Sequence, residues 1–338
     1  MTQVAEPFSF VSDGTTLAGT VTRPDTQLPA GAVLLLSGSG PQDRDETFGG
    51  HKPFAVLASE LAVRGWLVLR WDDRGVDASG GDYLAANADQ LGRDVLAALT
   101  GLETTYGALP LFLAGHSQGT LIAAAVAAKH PDRLAGVALF AGMATPGREG
   151  LLQQHLDVCR AEDLPEVVTE SLLQFKRTAF DALSAAQADI NAGADAEYRL
   201  ANLRRVLLSL WLDGQNLVTL DAETRAQTEA AVDDLMEWEW RYLIDVQPAK
   251  HLSQLQCPVF AAFGGRDVQV AAAANETALR RALADGIDVP STIHLLPDYN
   301  HLFQVDKNND VLRYEALGTP FAAPVPDLLA QWLAETIA

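Results

Sequence analysis

Five apolar runs, broken only by Arg70, most constrain how this chain folds: GAVLLL (31–36), WLVLRW (66–71), LFLAG (111–115), LAGVALFAG (134–142) and CPVFAAFGG (257–265). A sixth β-compatible run, STIHLLPD (291–298), follows them. A strand that is apolar at every position, not at alternate ones, is buried on both faces, and helices must cover both. Helical stretches do separate these runs: FAVLASELAVRG (54–65), ending at Gly65; ADQLGRDVLAALTGLETTYG (88–107); and GTLIAAAVAAKHP (119–131), halted by Pro131. VPDLLAQWLAETIA closes the chain. This alternation predicts an α/β fold with a mainly parallel central sheet flanked by helices. FSFVSDGTTLAGTVTRP (8–24) reads as a hairpin with Asp13-Gly14 in its turn, which adds antiparallel strands at one edge.

The pattern changes after about residue 146. From GREGLLQQHL to about Lys250 nearly every signal is helical, charges are frequent, and MEWEWRYLID (236–245) brings a cluster of aromatic residues. The sequence therefore predicts a core domain made of residues 1–146 and 251–338, with a helical cap, residues 147–250, inserted between strands six and seven.

Composition narrows the function. The 338 residues carry a net charge of −20, which argues against nucleic acid, whose phosphates are met by Lys and Arg, and against an anionic membrane surface. Cys159 and Cys257 are too few for a disulfide framework. The N-terminus shows no basic and apolar leader, and no apolar run approaches the length of a membrane helix, so no membrane insertion and a cytoplasmic location are expected.

Gly115-His116-Ser117-Gln118-Gly119 sits where the LFLAG strand meets the GTLIAAAVAAK helix. This is the G-x-S-x-G nucleophile elbow: a sharp strand-to-helix turn lifts the serine hydroxyl above the sheet edge, and its neighbours must lack bulk. The amide of Gln118, at the helix N-terminus, becomes one oxyanion donor. Serine needs a base, and the base needs an orienting acid. Of the downstream histidines, His130 ends the helix that Ser117 begins, His155 and His251 bracket the insertion, and His294 lies within a β-run. His301, in the loop LPDYNHLF, falls at the sheet edge the serine occupies. Asp267, just past Gly264-Gly265, is the acid at the end of the preceding strand. Asp298 and Asp245 are its rivals. The second oxyanion donor belongs to the loop SGSGPQDRDE, through the N–H of Ser39, with Gly38 or Gly40 as alternates.

With these elements in place the chain resembles an α/β-hydrolase, and more narrowly the bacterial carboxylesterases with a serine-aminopeptidase-like hydrolase domain and a helical cap. The resemblance rests on GSGPQDRD, KPFAVLASELAVRGWLVLRWDDRGVDASGG, GHSQG, GGRD and NHLFQ, spanning residues 33–119 and 257–304. It implies a Ser117–Asp267–His301 triad, no metal and no organic cofactor. The chain departs from the family pattern at Asp73, where a basic residue is usual, and at Asp77, where glycine is common.

Several further residues invite a role. Asp43, Arg44 and Asp45 are candidates to brace the oxyanion loop, and Arg74 to clamp Asp43 or Asp72. Trp238, Trp240 and Tyr242 would line an apolar acyl pocket or pack the cap. His51 reads as a surface residue. The expected activity is hydrolysis of a small-molecule carboxylic ester through an acyl-enzyme. An aminopeptidase or amidase, an acyltransferase, and a binding protein on the same fold are the alternatives.

Overall fold

The computed structural model describes residues 2–214, 222–307 and 310–338. The chain forms two units, Met1–Thr145 with Pro248–Ala338, and Pro146–Gln247.

The first unit is built on an eight-stranded sheet: β1 (Gln3–Ser12), β2 (Thr15–Pro24), β3 (Ala32–Leu36), β4 (Leu67–Trp71), β5 (Leu111–His116), β6 (Gly136–Phe140), β7 (Val259–Gly264) and β8 (Ser291–Leu296). The spatial order is β1-β2-β4-β3-β5-β6-β7-β8. β1 and β2 form the antiparallel hairpin, β2 runs antiparallel to β4, and every other pairing is parallel. The hairpin turn works because Asp13 and Gly14 both adopt positive φ, 48° and 77°, the geometry that matches the twist of the flanking strands.

The chain's helices are α1 (Pro53–Ala62), α2 (Ala88–Tyr106), α3 (Gly119–Lys129), α4 (Gly147–Ala161), α5 (Glu166–Asn191), α6 (Ala196–Gly214), α7 (Ala222–Leu235), α8 (Trp238–Asp245), α9 (Ala249–Leu252), α10 (Ala272–Ala284) and α11 (Val325–Thr336). The continuous apolar strands divide their side chains between two cores. Leu34, Leu69, Leu113 and Leu139 face α2, α3 and α10 through residues such as Leu99, Ile122 and Leu279. Their neighbours Val33, Val68, Phe112 and Phe140 face α1 and α11 through Phe54, Leu57, Leu329 and Trp332. Both faces are thus dry, as an α/β-hydrolase sheet requires, and the chain has that fold.

The second unit holds α4 to α8, which lie in sequence between β6 and β7. Leu173, Phe180, Leu183, Leu203, Leu207, Leu235 and Leu243 are buried among these helices. The two ends of the unit meet: the Gly147 N–H donates to the Val246 carbonyl at 2.9 Å. Glycine is required there, because a Cβ on residue 147 would collide with the Leu243 carbonyl. Among the described residues, no helix is long and apolar enough to cross a membrane.

Candidate active site

The carboxyl end of β5 turns directly into α3, and Ser117 occupies the turn with φ of +52°, a left-handed conformation that L-residues rarely adopt. Its N–H donates to the Phe140 carbonyl of the neighbouring strand at 2.9 Å, and its carbonyl accepts from the Thr120 hydroxyl at 2.6 Å. A Cβ on Gly115 would meet the Gly119 and Thr120 backbone, and a Cβ on Gly119 would run into the carbonyls of Leu36 and Ser37. The two glycines let the helix start pass against the end of β3. The Gln118 N–H stands at the mouth of α3, and its side-chain amide is buried without a hydrogen-bond partner among the described residues.

His301 lies in the loop after β8, and Asp267 in the loop after β7. The fold brings them together: His301 Nδ1 is 2.8 Å from Asp267 Oδ2, with side chains only 5% and 1% exposed. The second carboxylate oxygen, Oδ1, accepts from the Gln269 and Val270 N–H groups at 2.7 and 2.9 Å, so the carboxylate is held from both sides. Asp245 takes the Ser184 hydroxyl within the second unit, and the contact with His301 is made by Asp267 and not by Asp298. Of the other histidines, His294 packs on the Phe260 ring, and burial pushes His155 down to about 4.

The loop after β3 closes the third side. Ser39 N–H donates to no protein acceptor among the described residues, whereas the Gly38 N–H is taken by Glu46 Oε1 at 2.7 Å. Asp73 Oδ2 accepts from the Ser37 hydroxyl and the Gln42 N–H at 3.2 and 3.0 Å, so this departure from the family pattern ties the loop down. The other departure, Asp77, has φ of +43°, which explains why glycine is common at that position. Asp43 Oδ1 accepts from the Asp45 and Thr47 N–H groups, and Asp45 pairs with Lys52 and Arg70. Arg44 pairs with Asp72 and also donates to the Gly19 carbonyl.

Two expectations need correction. Arg74 clamps neither Asp43 nor Asp72: Arg44 occupies Asp72, and Arg74 reaches across to Asp94 on α2, with contacts of 2.7 and 2.5 Å. His51 is half-buried, its Nε2 at 3.0 Å from the Tyr314 carbonyl, because the segment before α1 folds back toward residue 314.

Ser117, His301, Ser39, Gly38, Gln42, Glu46, Phe48, His116, Gln269 and Leu302 line one open cavity of about 110 Å³. Trp238, Trp240 and Tyr242 belong to the second unit, on α8. Trp238 is buried beside the Tyr242 ring, and the Trp240 indole N–H donates to Asp234 while its ring receives the Lys176 ammonium. Among the described residues no cluster of three or more His, Cys, Asp or Glu is placed to hold a metal ion. Two residues of this region escaped the sequence reading as individuals: Glu46, the last residue of SGSGPQDRDE, and His116, seen only as part of the elbow. Their signal, a buried acid and a buried imidazole in contact, exists only in three dimensions.

Comparison with known proteins bears on the family and the fold. Residues 50–224 match the family described as Hydrolase_4, serine aminopeptidase, S33. The chain belongs to this family. It is 29% identical over 170 residues to the esterase EstD of Thermotoga maritima, a match covering 49% of this chain and 40% of that protein. The match thus spans less than half the length of that curated relative. Among solved structures, the Pyrococcus furiosus esterase Pf2001 superposes with a TM-score of 0.56 at 14% identity, covering 99% of this chain and 90% of that one. A proline iminopeptidase of Mycobacterium smegmatis gives 0.54 at 16% identity, with 98% of each chain covered. Both likenesses are to the fold.

Proposed function

We propose that this S33-family hydrolase cleaves carboxylic esters, with Ser117 as nucleophile, His301 as general base and Asp267 as the acid that orients it. The observation that carries the reading is the buried 2.8 Å contact between His301 Nδ1 and Asp267 Oδ2, in a cavity that also presents Ser117. A carboxylate at Nδ1 keeps the proton on that nitrogen and leaves Nε2 with a lone pair for the serine proton. Ser117 Oγ then attacks the acyl carbon while Nε2 takes its proton. The Ser39 and Gln118 N–H groups receive the charge that develops on the carbonyl oxygen. Collapse expels the alkoxide, which takes the proton from His301. Water, deprotonated in turn by His301, attacks the acyl-enzyme; the acyl–Oγ bond breaks, His301 returns the proton to Ser117 Oγ, and the acid leaves.

The esterase neighbours and EstD favour an ester over an amide. The cavity is well below the ~300 Å³ at which drug-sized ligands begin, so the first unit by itself holds the reacting carbonyl and a short arm. The inserted unit, 146–247, is read as a cap, with Trp238, Trp240 and Tyr242 as its aromatic contribution to substrate choice. The second reading, an aminopeptidase, is favoured by the family description and the iminopeptidase neighbour. It requires carboxylates to capture a free amine. Of the acidic residues of the second unit, Asp233 is already paired with Arg204, and Asp234 with the Trp240 indole.

The deciding experiment measures hydrolysis of p-nitrophenyl esters of graded chain length beside aminoacyl-nitroanilides, for wild type and Ser117→Ala. Ester turnover that vanishes in the variant supports the proposal, and the preferred chain length sizes the pocket. Turnover of the anilides alone transfers the assignment to a peptidase. No turnover of either by the folded wild-type protein overturns the general esterase reading.

A further inference from the structure

A carboxylate and an imidazole lie buried directly behind Ser117. Glu46, in the loop after β3, has φ of +52°, a left-handed conformation costly for a residue with a side chain and one that persists only where its surroundings enforce it. Its Oε1 accepts two donors, the Gly38 N–H at 2.7 Å and His116 Nδ1 at 2.9 Å. The other ring nitrogen, His116 Nε2, is 2.9 Å from the main-chain carbonyl of His301. A carbonyl oxygen can only accept, so Nε2 carries a proton. Glu46 Oε1, already accepting from Gly38, is placed to accept from Nδ1 as well. The remaining oxygen, Oε2, is buried without a hydrogen-bond partner among the described residues, so His116 is the group that compensates the Glu46 charge.

We infer that Glu46 and His116 form a buried carboxylate–imidazolium pair that positions the oxyanion loop and the catalytic base as one unit. One carboxylate oxygen fixes the loop through Gly38, and through the His116 ring it fixes the backbone of His301. Neither residue is asked to touch the reacting atoms, so both are positioning residues. The charged and titratable groups facing His116 are Glu46 from the loop after β3, Asp267 from the loop after β7, and His301 from the loop after β8. The Phe303 and Phe321 rings also pack against it. Burial opposes the charged ring, but the Glu46 carboxylate, its hydrogen bond and the His301 carbonyl outweigh it and hold the His116 pKa above its ordinary value. The catalytic role rests on the esterase reading above; the charge state of the pair does not.

The charge state is therefore read first, without substrate, by ¹⁵N imidazole NMR of the wild-type protein near neutral pH. Both His116 nitrogens are expected to bear protons. A spectrum with only one protonated nitrogen overturns the ion pair whatever the enzyme does. Glu46→Gln keeps the shape and removes the charge, and should leave His116 with one proton. With one oxyanion donor worth on the order of 100-fold in rate, a loosened loop should lower kcat by about tenfold or more. KM should change less than kcat, because Glu46→Gln keeps the shape of the side chain where it lines the cavity. A Glu46→Gln variant that folds and keeps kcat within about twofold overturns the positioning role. His116→Gln strands the Glu46 charge, so adding Glu46→Gln to it should recover activity, whereas additive losses overturn the coupling. Should the wild-type protein cleave anilides instead of esters, the same comparison is made on anilides. The esterase reading then fails while this inference is still tested.

Discussion

Replacing Arg74 by methionine should destabilise the first unit by an amount that depends steeply on pH. Arg74 and Asp94 are each only 3% exposed, and the guanidinium meets the carboxylate through Nε at 2.7 Å and Nη2 at 2.5 Å. Arg74 also reaches the carbonyl and hydroxyl of Ser12 at 3.3 Å. Removing one partner of such a pair leaves a buried charge and costs about 3–5 kcal/mol. The variant has an escape, which sets a ceiling: Asp94 can take up a proton. Holding a carboxyl of ordinary pKa 3.8 protonated at neutral pH costs ~4 kcal/mol, at 1.36 kcal/mol per unit. That ceiling falls by about 1.4 kcal/mol for each unit the pH is lowered, and near pH ~5 only ~1.6 kcal/mol remains. Burial already pushes Asp94 above its ordinary value with Arg74 in place, so protonation in the variant is the easier course. Urea unfolding of wild type and Arg74→Met at three pH values between ~5 and ~7.5 measures the difference. A penalty that shrinks as the pH falls is the expected result, and a second change, Asp94→Leu, should remove most of it. A penalty of constant size across the range would refute the reasoning, because the cost would then be lost packing and not a stranded charge.

Three other outcomes follow from the geometry. Asp267→Asn should lower kcat by about 1,000-fold or more, since an amide can favour the wrong His301 tautomer; a loss under tenfold in a steady-state assay would argue against the orienting role. Gly119→Ala should lower the melting temperature of the first unit together with activity, at a cost of about 1–3 kcal/mol, because the new Cβ meets carbonyls fixed in β3; calorimetry and turnover both unchanged would contradict the close approach. Burial, aided by Lys176, holds His155 at about 4, so its unfolded form binds more protons than the folded one below its ordinary 6.5. Stability of the second unit should therefore fall by about 3 kcal/mol as the pH drops from 6.5 to about 4, and His155→Gln should flatten that fall in unfolding measured across the window.

The sheet was legible because its signal is local. A strand buried on both faces must be apolar throughout, so LFLAG and GAVLLL announce themselves without knowledge of their neighbours. The elbow is equally local, since Gly115, Ser117 and Gly119 must satisfy a turn only five residues long. Asp267 and His301 were reachable at one remove, because the carboxyl ends of parallel strands share one edge of the sheet. α10 went unread for a different reason: Asn275, Leu279 and Ala282 carry its buried face, too few large apolar residues to mark a periodicity. The partner of Arg74 and the contact of Glu46 with His116 were beyond any local pattern. Residue 74 had several acids within loop reach, and only the docking of α2 against β1 and α3 selects Asp94. Residues 46, 116 and 301 converge because two loops and the end of β5 meet at the same sheet edge, which no spacing along the chain encodes.

The hydrogen bond between Gly147 and Val246 changes what the insertion means for the chain that carries it. β6 and β7 lie side by side in the sheet although residues 141–258 separate them. Were that segment a free loop, closing it would cost ~2 kcal/mol more than closing the crossover of about a dozen residues that two parallel strands need, because the entropy of closure grows with the logarithm of length. Instead the segment folds on itself and returns its two ends to within one hydrogen bond, so it hangs from the crossover between two parallel strands as a closed insertion. Such a segment can lengthen, shorten or be exchanged for another while the register of β6 on β7 stays as it is. The part of the protein proposed to choose substrates is thereby free to diverge at little expense to the part that would carry out the chemistry.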